Sequence, residues 1–308
     1  MKISVVVPCY NEEEVLPITH ERLTAVMRDV VHKGLVTSYE ILYVDDGSRD
    51  RTAAILQDYM NVDSNVNPVF LAGNYGHQNA ILAGYTEATG DCICSIDADL
   101  QDPPELIEEM LQNLIEGADL VKAVRHSRDT DSFFKRVSAR SFYRLMRAMG
   151  VNVTIDHADY RLFTREVRDA ILEYSESNLF LRALFNSIGF RQAEVYFSRE
   201  HRKAGTTKYP MRKMIELAIN GITSYSILPL RLTTILGLIS SVISSIMLFW
   251  SIYVKLVGGA ITGWTSTVSA LYFLGSVQLV FLGIMGEYIG KIYLETKKRP
   301  RYLIRHRR

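Results

Sequence analysis

The sequence is poor in cysteine, with Cys9, Cys92 and Cys94 as the three cysteines in 308 residues. So small and odd a number argues against a disulfide framework. Cys92 and Cys94 alternate on an apolar run, as small core residues do, and we expect no metal or redox role for them. The chain begins directly on a predicted strand with no signal peptide before it, so we expect its N-terminal part to stay in the reducing cytosol.

A large excess of charge of one sign is also absent, because 35 Lys and Arg residues face 34 Asp and Glu residues. This balance excludes a strongly basic nucleic-acid-binding protein, and no nucleic-acid partner is expected. The motifs G-x-G-x-x-G and G-x-x-x-x-G-K-S/T do not occur, which excludes a dinucleotide fingerprint and a P-loop. With 48% hydrophobic and 22% charged residues, the chain is neither disordered nor wholly embedded in a membrane.

The charge that is present is distributed unevenly. Residues 291–308 contain eight Lys or Arg and one Glu, whereas Leu232–Val254 has no charge over 23 residues and Leu256–Gly286 has none over 31. A membrane-spanning helix needs about 20 apolar residues, so both uncharged segments are long enough. Arg231 and the basic tail flank their outer ends, and Lys255 lies between them. This bias predicts a two-helix hairpin in the inner (plasma) membrane, with both termini in the cytoplasm and the tail on anionic lipid headgroups.

The segment before the hairpin has the pattern of an amphipathic helix, which would lie on its own domain or on the membrane surface. Small residues in the second span allow close packing within one hairpin or between subunits, so a homo-oligomer stays open. We therefore predict four parts: an α/β domain over residues 1–210, the amphipathic helix over 211–230, two spans within 231–290 (at about 232–254 and 264–287), and the basic tail over 291–308.

Strand and helix patterns alternate through the first half of the chain. The predicted strands are Ile3–Val7, Ile41–Val44, Val69–Leu71, Cys92–Ile96 and Asp119–Val124, with helical segments between them. Repeated β-α-β units predict an α/β fold with a mostly parallel sheet and helices on both faces. Residues 150–210 give no clear pattern. Ligands bind such sheets at the carboxyl ends of the strands, where this sequence places its polar segments.

Two carboxylates follow the predicted strand Cys92–Ile96 directly. Asp97 and Asp99 are two residues apart on an extended segment, so their side chains can point the same way and share one ion. Gln101 and Asp102 add further oxygens. Oxygen ligands suit Mg²⁺ or Mn²⁺, which bind carboxylates together with substrate phosphates. The D-x-D pattern alone is common in surface loops, but its position at a strand end favours a metal site.

Two further acidic loops follow other predicted strands. Asp45-Asp46-Gly47-Ser48 either caps the next helix or accepts a hydrogen bond from a base or ribose. Tyr10 and Glu12 follow the first strand and offer a stacking ring and an acceptor. His77 lies in a loop nearby, where we expect a solvated or hydrogen-bonded role rather than a catalytic one. Together these loops are expected to meet in one crevice.

The segments V-V-V-P-C-Y-N-E-E, Y-V-D-D-G-S-R-D-R-T and S-I-D-A-D-L-Q-D-P-P-E, in this order and spacing, resemble those of family 2 glycosyltransferases. These are inverting enzymes with a Rossmann-like α/β domain of the GT-A type. The segment R-E-H-R-K-A-G-T-T-K-Y, which ends at Tyr209, and the two predicted spans resemble the polyprenyl-phosphate glycosyltransferases. That group includes dolichol-phosphate mannose synthases and bactoprenol glucosyltransferases, and the two-span C-terminus favours the second branch.

The resemblance implies a set of site residues. For the nucleotide sugar it implies Pro8, Tyr10, Asn11, Glu12, Asp45, Asp97, Ala98 and Arg125. For Mg²⁺ or Mn²⁺ it implies Asp97, Asp99 and Gln101. For the acceptor phosphate it implies Arg202, Thr207, Lys208 and Tyr209, and for catalysis Asp159 and Asp99. Arg125 departs from the family's context, because Ala123 stands where a glycine is usual.

The function expected from these residues is transfer of a hexose, with glucose favoured, from a UDP-sugar to undecaprenyl phosphate, for O-antigen or other cell-envelope glycan modification. The acceptor phosphate is ionised near pH 7, so a strong base is not required. Asp159 is therefore expected either to act as base or orienting group or to form a structural ion pair, for instance with Arg161. GDP-mannose or a UDP-amino sugar remains an alternative donor. A lipid-linked-sugar flippase and a non-catalytic nucleotide-sugar sensor are the alternatives from other classes.

Overall fold

The computed structural model describes residues 1–125, 157–176, 181–197, 228–257 and 263–305. The chain divides into two compact units. The first comprises Met1–Arg144, Asn152–Tyr209 and Arg299–Arg308, and the second comprises Leu145–Val151 and Pro210–Lys298.

The first unit is built from alternating strands and helices. Its strands are β1 Lys2–Cys9, β2 Ser38–Asp45, β3 Val69–Phe70, β4 Cys92–Ser95, β5 Leu120–Arg125, β6 His157–Thr164 and β7 Gln192–Phe197. Its helices are α1 Leu16–His32, α2 Thr52–Val62, α3 His77–Glu87, α4 Leu106–Ile115, α5 Arg165–Leu172 and α6 Leu181–Ser187. The five predicted strands are all present. The first helix begins at Leu16, with a proline in its first turn.

The strands form one seven-stranded sheet in the order β3-β2-β1-β4-β6-β5-β7. Neighbouring strands are parallel except at β6, which runs antiparallel to both β4 and β5. The prediction of a mostly parallel sheet is therefore confirmed. Strands β6 and β7 come from the region between residues 150 and 210, where the sequence pattern gave no clear assignment.

Helices cover both faces of the sheet, as predicted. Successive residues of β1 point to opposite faces, so Val5 packs with Leu23 and Met110 of α1 and α4, while Val6 packs with Ile81 of α3. Each fully buried aliphatic side chain stabilises the fold by about 1.5–3 kcal/mol. The two cores hold the central strands rigidly, so the loops at the strand ends begin from fixed positions.

The second unit contains two long helices, α7 Leu228–Leu256 and α8 Trp264–Thr296. The segments Leu228–Val254 and Phe273–Thr296 are long and apolar enough to cross a membrane. Both helices extend beyond the predicted spans, because α7 begins before residue 232 and α8 ends after residue 287. The last three residues of the predicted amphipathic segment 211–230 belong to α7, and its remainder lies outside the described residues.

The predicted basic tail, 291–308, is divided between the two units. Its first residues continue α8, and residues 299–305 belong to the α/β unit. Ile304 forms an antiparallel bridge with Leu71, just beyond β3. β3 is a short edge strand whose exposed backbone groups offer hydrogen bonds to such a segment. The expected contact of the tail with anionic lipid headgroups stays a prediction.

Candidate active site

The carboxyl ends of β1, β2 and β4 lie at one edge of the sheet. The parallel register pairs Cys9 with Asp45 and Val6 with Ser95. The loops that follow these strands therefore start side by side, and they are the three acidic loops of the sequence. In an open α/β sheet this edge is where ligands bind.

The loop after β4 is held in a bent shape. Leu100 has a positive φ of 56°, and the Gln101 N–H donates to Asp99 Oδ1 at 3.2 Å. The Thr19 hydroxyl of α1 donates to the Ala98 carbonyl at 2.7 Å. Ala98 thus contributes a buried backbone anchor, and the neighbouring side chains are fixed relative to α1.

Three oxygens of this loop are buried without a hydrogen-bond partner among the described residues: Asp97 Oδ1, Gln101 Oε1 and Asp102 Oδ2. A buried acceptor without a donor is unfavourable, and a cation would satisfy it. In the part of the chain that the structure describes, no group of three or more His, Cys, Asp or Glu side chains could hold a metal. The residues fit Mg²⁺ or Mn²⁺ if Asp97, Asp99 and Gln101 share the ion with substrate oxygens.

Arg125, at the end of β5, lies beside the same loop. Its Nη2 is 3.2 Å from Asp102 Oδ1, and Asp102 is fully buried while 24% of the Arg125 side chain is exposed. Burial raises the pKa of Asp102 to about 6, although Arg125 favours its charged form. The basic residue expected near the phosphates is thus positioned by a carboxylate two strands away in the sheet order.

Asp159 lies opposite Asp97 across the β4–β6 pair. The antiparallel register pairs Ser95 with Arg161, and continuing it by two residues brings Asp97 opposite Asp159. Asp159 is 7% exposed and accepts hydrogen bonds from Arg161 Nη2 at 3.0 Å and from Arg182 Nη2 at 2.8 Å. The guanidinium of Arg161 also lies 4.6 Å from the ring centre of Phe185. An ion pair with Arg161, one of the two expectations for Asp159, is present.

His77, the first residue of α3, lies between the two carboxylates. Its Nε2 is 3.5 Å from Asp97 Oδ1 and 3.6 Å from Asp159 Oδ2. Burial would raise the pKa of Asp159, but the nearby imidazole of His77 and the guanidinium groups of Arg161 and Arg182 hold that pKa well below its ordinary value. Burial lowers the pKa of His77, and the two carboxylates outweigh this and raise it. The cluster therefore favours an ionised Asp159.

The loop before α3 is fixed by the carboxylate after β2. Asp46 is buried and accepts from the backbone N–H groups of Tyr75 at 2.7 Å and Gly76 at 2.9 Å. Gly47 has a φ of 70°, and a Cβ there would lie 2.6 Å from the Gly73 backbone. Of the two acidic residues at the end of β2, Asp46 thus has a structural role, because it anchors the loop that leads to His77.

The loop after β1 is bonded to the loop after β2. The Asn11 N–H donates to Ser48 Oγ at 3.0 Å, and Asn11 Oδ1 accepts from the Arg49 N–H at 2.8 Å. The Glu12 N–H donates to Thr52 Oγ1 at 2.9 Å. The structure therefore places Asn11 as a link between the loops.

A cavity of about 690 Å³ opens between the ends of β2 and β3. Its polar lining includes Asp45, Ser48, Gln57 and Arg305. Asp45 is the residue of the expected nucleotide set that lines it. Pro8 is buried within β1, and Tyr10 is 42% exposed after it.

The expected acceptor residues Arg202, Thr207, Lys208 and Tyr209 lie outside the described residues. The sequence analysis assigned no binding or catalytic role to three residues that the structure places at the site: His77, Arg182 and Arg305. The position of His77 at a helix start beside strand ends was a usable signal. Arg182 and Arg305 gave none, because their neighbours at the site are far away in the chain.

Comparisons with known proteins identify the family of the chain. The model of glycosyl transferase family 2 matches residues 4–172. The chain is 44% identical to the uncharacterized glycosyltransferase YkoT of Bacillus subtilis (strain 168), over 98% of this chain and 90% of that protein. It is 39% identical to the bactoprenol glucosyl transferase of Shigella phage SfX, over 100% of both chains.

Among solved structures, glucosyl-3-phosphoglycerate synthase from Mycobacterium tuberculosis aligns with a TM-score of 0.48 and 21% identity, over 72% of this chain and 77% of that chain. The family match and the full-length relatives carry the assignment. The chain belongs to glycosyl transferase family 2 and is a glycosyltransferase with an α/β domain of the GT-A type.

Proposed function

We propose that this glycosyltransferase moves a hexose, glucose in the first instance, from a UDP-sugar to undecaprenyl phosphate at the cytoplasmic face of the membrane. The observation that carries the proposal is the set of buried oxygens of Asp97 and Gln101 that lack a hydrogen-bond partner among the described residues. They lie beside Arg125, and this arrangement suits a cation and a diphosphate. The acceptor class is supported by the 39% identity to a bactoprenol glucosyl transferase. The product would be a lipid-linked sugar for O-antigen or other cell-envelope glycan modification.

The donor diphosphate would lie at the end of β4. Asp97, Asp99 and Gln101 would hold Mg²⁺ or Mn²⁺, which neutralises charge on a leaving diphosphate when it is bound. Arg125 adds a fixed positive charge on the same side of the loop. The nucleoside would lie at the end of β2, where Asp45 lines the cavity.

The reaction is a single displacement. An oxygen of the acceptor phosphate attacks the anomeric carbon from the face opposite the diphosphate, and the bond from that carbon to UDP breaks with its electron pair leaving on UDP. The configuration is inverted. A phosphate monoester is largely ionised near pH 7, so no proton has to be removed by a strong base. Arg202 and Lys208 are proposed to bind the acceptor phosphate by charge-assisted hydrogen bonds, with Thr207 and Tyr209 beside them.

Asp159 is proposed as a positioning residue rather than a general base. A general base works best when its pKa lies near the working pH, whereas the pKa of Asp159 is held well below its ordinary value. Its carboxylate is bonded to Arg161 and Arg182, and 40% of the Arg182 side chain is exposed. Asp159 would thus hold Arg182 and His77 at the edge where sugar and acceptor meet.

The two C-terminal helices are proposed to cross the membrane. Their apolar side chains are largely exposed, with Phe249 at 70% and Leu279 at 71%. A continuous apolar surface of this kind is unfavourable in water and is compatible with lipid. The asymmetry of Lys and Arg around the helices supports a cytoplasmic α/β unit and cytoplasmic termini.

The proposal is tested by incubating membranes that contain the protein with radiolabelled UDP-glucose and undecaprenyl phosphate, and extracting the label into chloroform. Extraction of label by the wild type and its loss in Asp97→Asn are expected. Asp58→Asn is the matched control, because Asp58 is exposed on α2. If label is extracted with GDP-mannose or a UDP-amino sugar but not with UDP-glucose, that nucleotide sugar replaces UDP-glucose as the proposed donor. If no label is extracted with any of these donors, the flippase and the nucleotide-sugar sensor are the remaining alternatives.

A further inference from the structure

The C-terminal segment adds a short strand to the edge of the sheet. The Ala72 N–H donates to the Leu303 carbonyl at 2.8 Å, and the Arg305 N–H donates to the Phe70 carbonyl at 2.7 Å. These bonds flank the antiparallel bridge between Leu71 and Ile304. The segment therefore pairs with backbone groups that the short strand β3 would otherwise expose.

Side chains hold the same segment in place. The Tyr302 hydroxyl lies 2.8 Å from Thr86 Oγ1, and Arg301 donates to the Tyr174 carbonyl. Tyr302 and Ile304 pack against the core that contains α3. These backbone and side-chain contacts thus fix the position of the Arg305 backbone.

Arg305 lines the cavity together with Asp45, Ser48 and Gln57. In the sheet order, β1 separates β2 from β4, so the cavity at β2 and the Asp97 loop at β4 lie about two strand spacings, or about 10 Å, apart. That separation leaves room for a ribose between a diphosphate at β4 and a base at β2. Arg305 would therefore lie at the base end of a nucleotide bound in this way.

We propose that Arg305, supplied by the C-terminal segment, reads the base of the donor nucleotide together with Asp45. Uracil presents an N–H group beside a carbonyl on one edge of its ring. The carboxylate of Asp45 would accept from this N–H group, and the guanidinium of Arg305 would donate to the carbonyl. Asp45 Oδ1 accepts from the Ser48 N–H at 3.1 Å, and a carboxylate has further acceptor sites. Cytosine presents an amino group where uracil has this carbonyl. The guanidinium of Arg305 would then face another hydrogen-bond donor instead of an acceptor. The inference rests on the proposed use of a UDP-sugar.

The test measures binding of UDP and CDP to the full-length protein in detergent by titration calorimetry. Arg305→Ala should weaken UDP binding roughly 10- to 150-fold, the range of one hydrogen bond to a charged group, and should reduce the preference for UDP over CDP. Arg305→Lys should recover part of the affinity, because an ammonium keeps the charge but not the guanidinium geometry. Arg299→Ala is the matched control, because it removes the same charge from an exposed position outside the cavity lining.

Each result decides a different point. Equal losses in Arg305→Ala and Arg299→Ala would overturn the inference in favour of bulk charge. A weaker UDP affinity with an unchanged preference over CDP would also overturn it, because Arg305 would then contact phosphate. If the wild type binds UDP and Arg305→Ala binds it equally well, the inference fails while the proposed function stands. If the wild type binds no UDP, both fail. An unchanged thermal midpoint of Arg305→Ala shows that the variant is folded.

Discussion

Asp97 and Asp159 lie opposite each other at the end of the β4–β6 pair, and the imidazole of His77 lies within 3.6 Å of both carboxylates. The two carboxylates differ in their surroundings. Asp159 is bonded to two guanidinium groups, whereas Asp97 Oδ1 is buried without a hydrogen-bond partner among the described residues. Asp159 is therefore suited to hold the site together, and Asp97 is suited to the cation-binding role proposed above.

The metal requirement predicts a large effect at Asp99. Asp99→Asn keeps the shape of the side chain but removes its charge, so turnover should fall roughly 100-fold or more, as for other fixed electrostatic groups. EDTA should abolish sugar transfer and Mg²⁺ or Mn²⁺ should restore it, with Asp58→Asn behaving like the wild type. Full activity in EDTA would contradict the metal proposal.

The buried ion pair predicts a coupling between Asp159 and Arg161. Asp159→Asn leaves the guanidinium of Arg161 buried with its charge poorly compensated, which should lower the free energy of unfolding by about 3–5 kcal/mol. The double variant Asp159→Asn, Arg161→Met removes both charges and should recover much of that loss. Thermal unfolding in detergent measures both. Equal midpoints for wild type and Asp159→Asn would show that the pair is not structural.

Glu40 lies near the start of β2, at the opposite end of the strand from the site. Its charge predicts that the stability of the fold depends on pH. Burial would raise its pKa, but hydrogen bonds from Lys2, Ser4 and Thr89 lower it below its ordinary value. A lowered pKa in the folded state stabilises the protein fully above the ordinary value of about 4.3, and the benefit is lost as the pH falls through the folded value.

Glu40→Gln should therefore lower the unfolding midpoint at pH 7, and the difference from the wild type should shrink in acid. Midpoints measured from pH 7 down to pH 3 check this trend. A difference that stays constant over that range would show that the charge of Glu40 does not contribute.

The acceptor proposal predicts a selective effect at Lys208. Lys208→Ala should raise the apparent KM for polyprenyl phosphate roughly 10- to 150-fold, the value of one charge-assisted contact, and leave UDP-sugar binding nearly unchanged. Arg202→Lys should also impair transfer, since an ammonium cannot form the two-pronged contact of a guanidinium. If both variants recover in detergent with a short soluble acceptor, these residues only attract anionic lipid.

The membrane proposal predicts that the two ends of the hairpin report opposite sides. A reporter fused after Arg308 should lie in the cytoplasm, and one inserted at residues 258–262 should lie outside. Alkaline phosphatase and fluorescent protein fusions measure this directly. The same side for both would mean that one of the two helices does not span.

The sequence by itself determined the features that depend on neighbouring residues. The strands from β1 to β5 and the long helices follow from hydrophobic periodicity, and Asp45, Asp97 and Asp99 were assigned to strand ends because turn residues follow apolar runs directly. The family resemblance depended on these same local segments, and the family match over residues 4–172 confirms it.

The tertiary structure decided the relationships between distant segments. It inserted β6 antiparallel between β4 and β5, which brought Asp159 opposite Asp97, and it placed Arg182 on the same carboxylate. It also brought Arg305 from the end of the chain to the cavity beside Asp45. Such pairings are set by strand order and edge hydrogen bonding, which minimise exposed backbone and buried charge over the whole domain, and no local pattern encodes them.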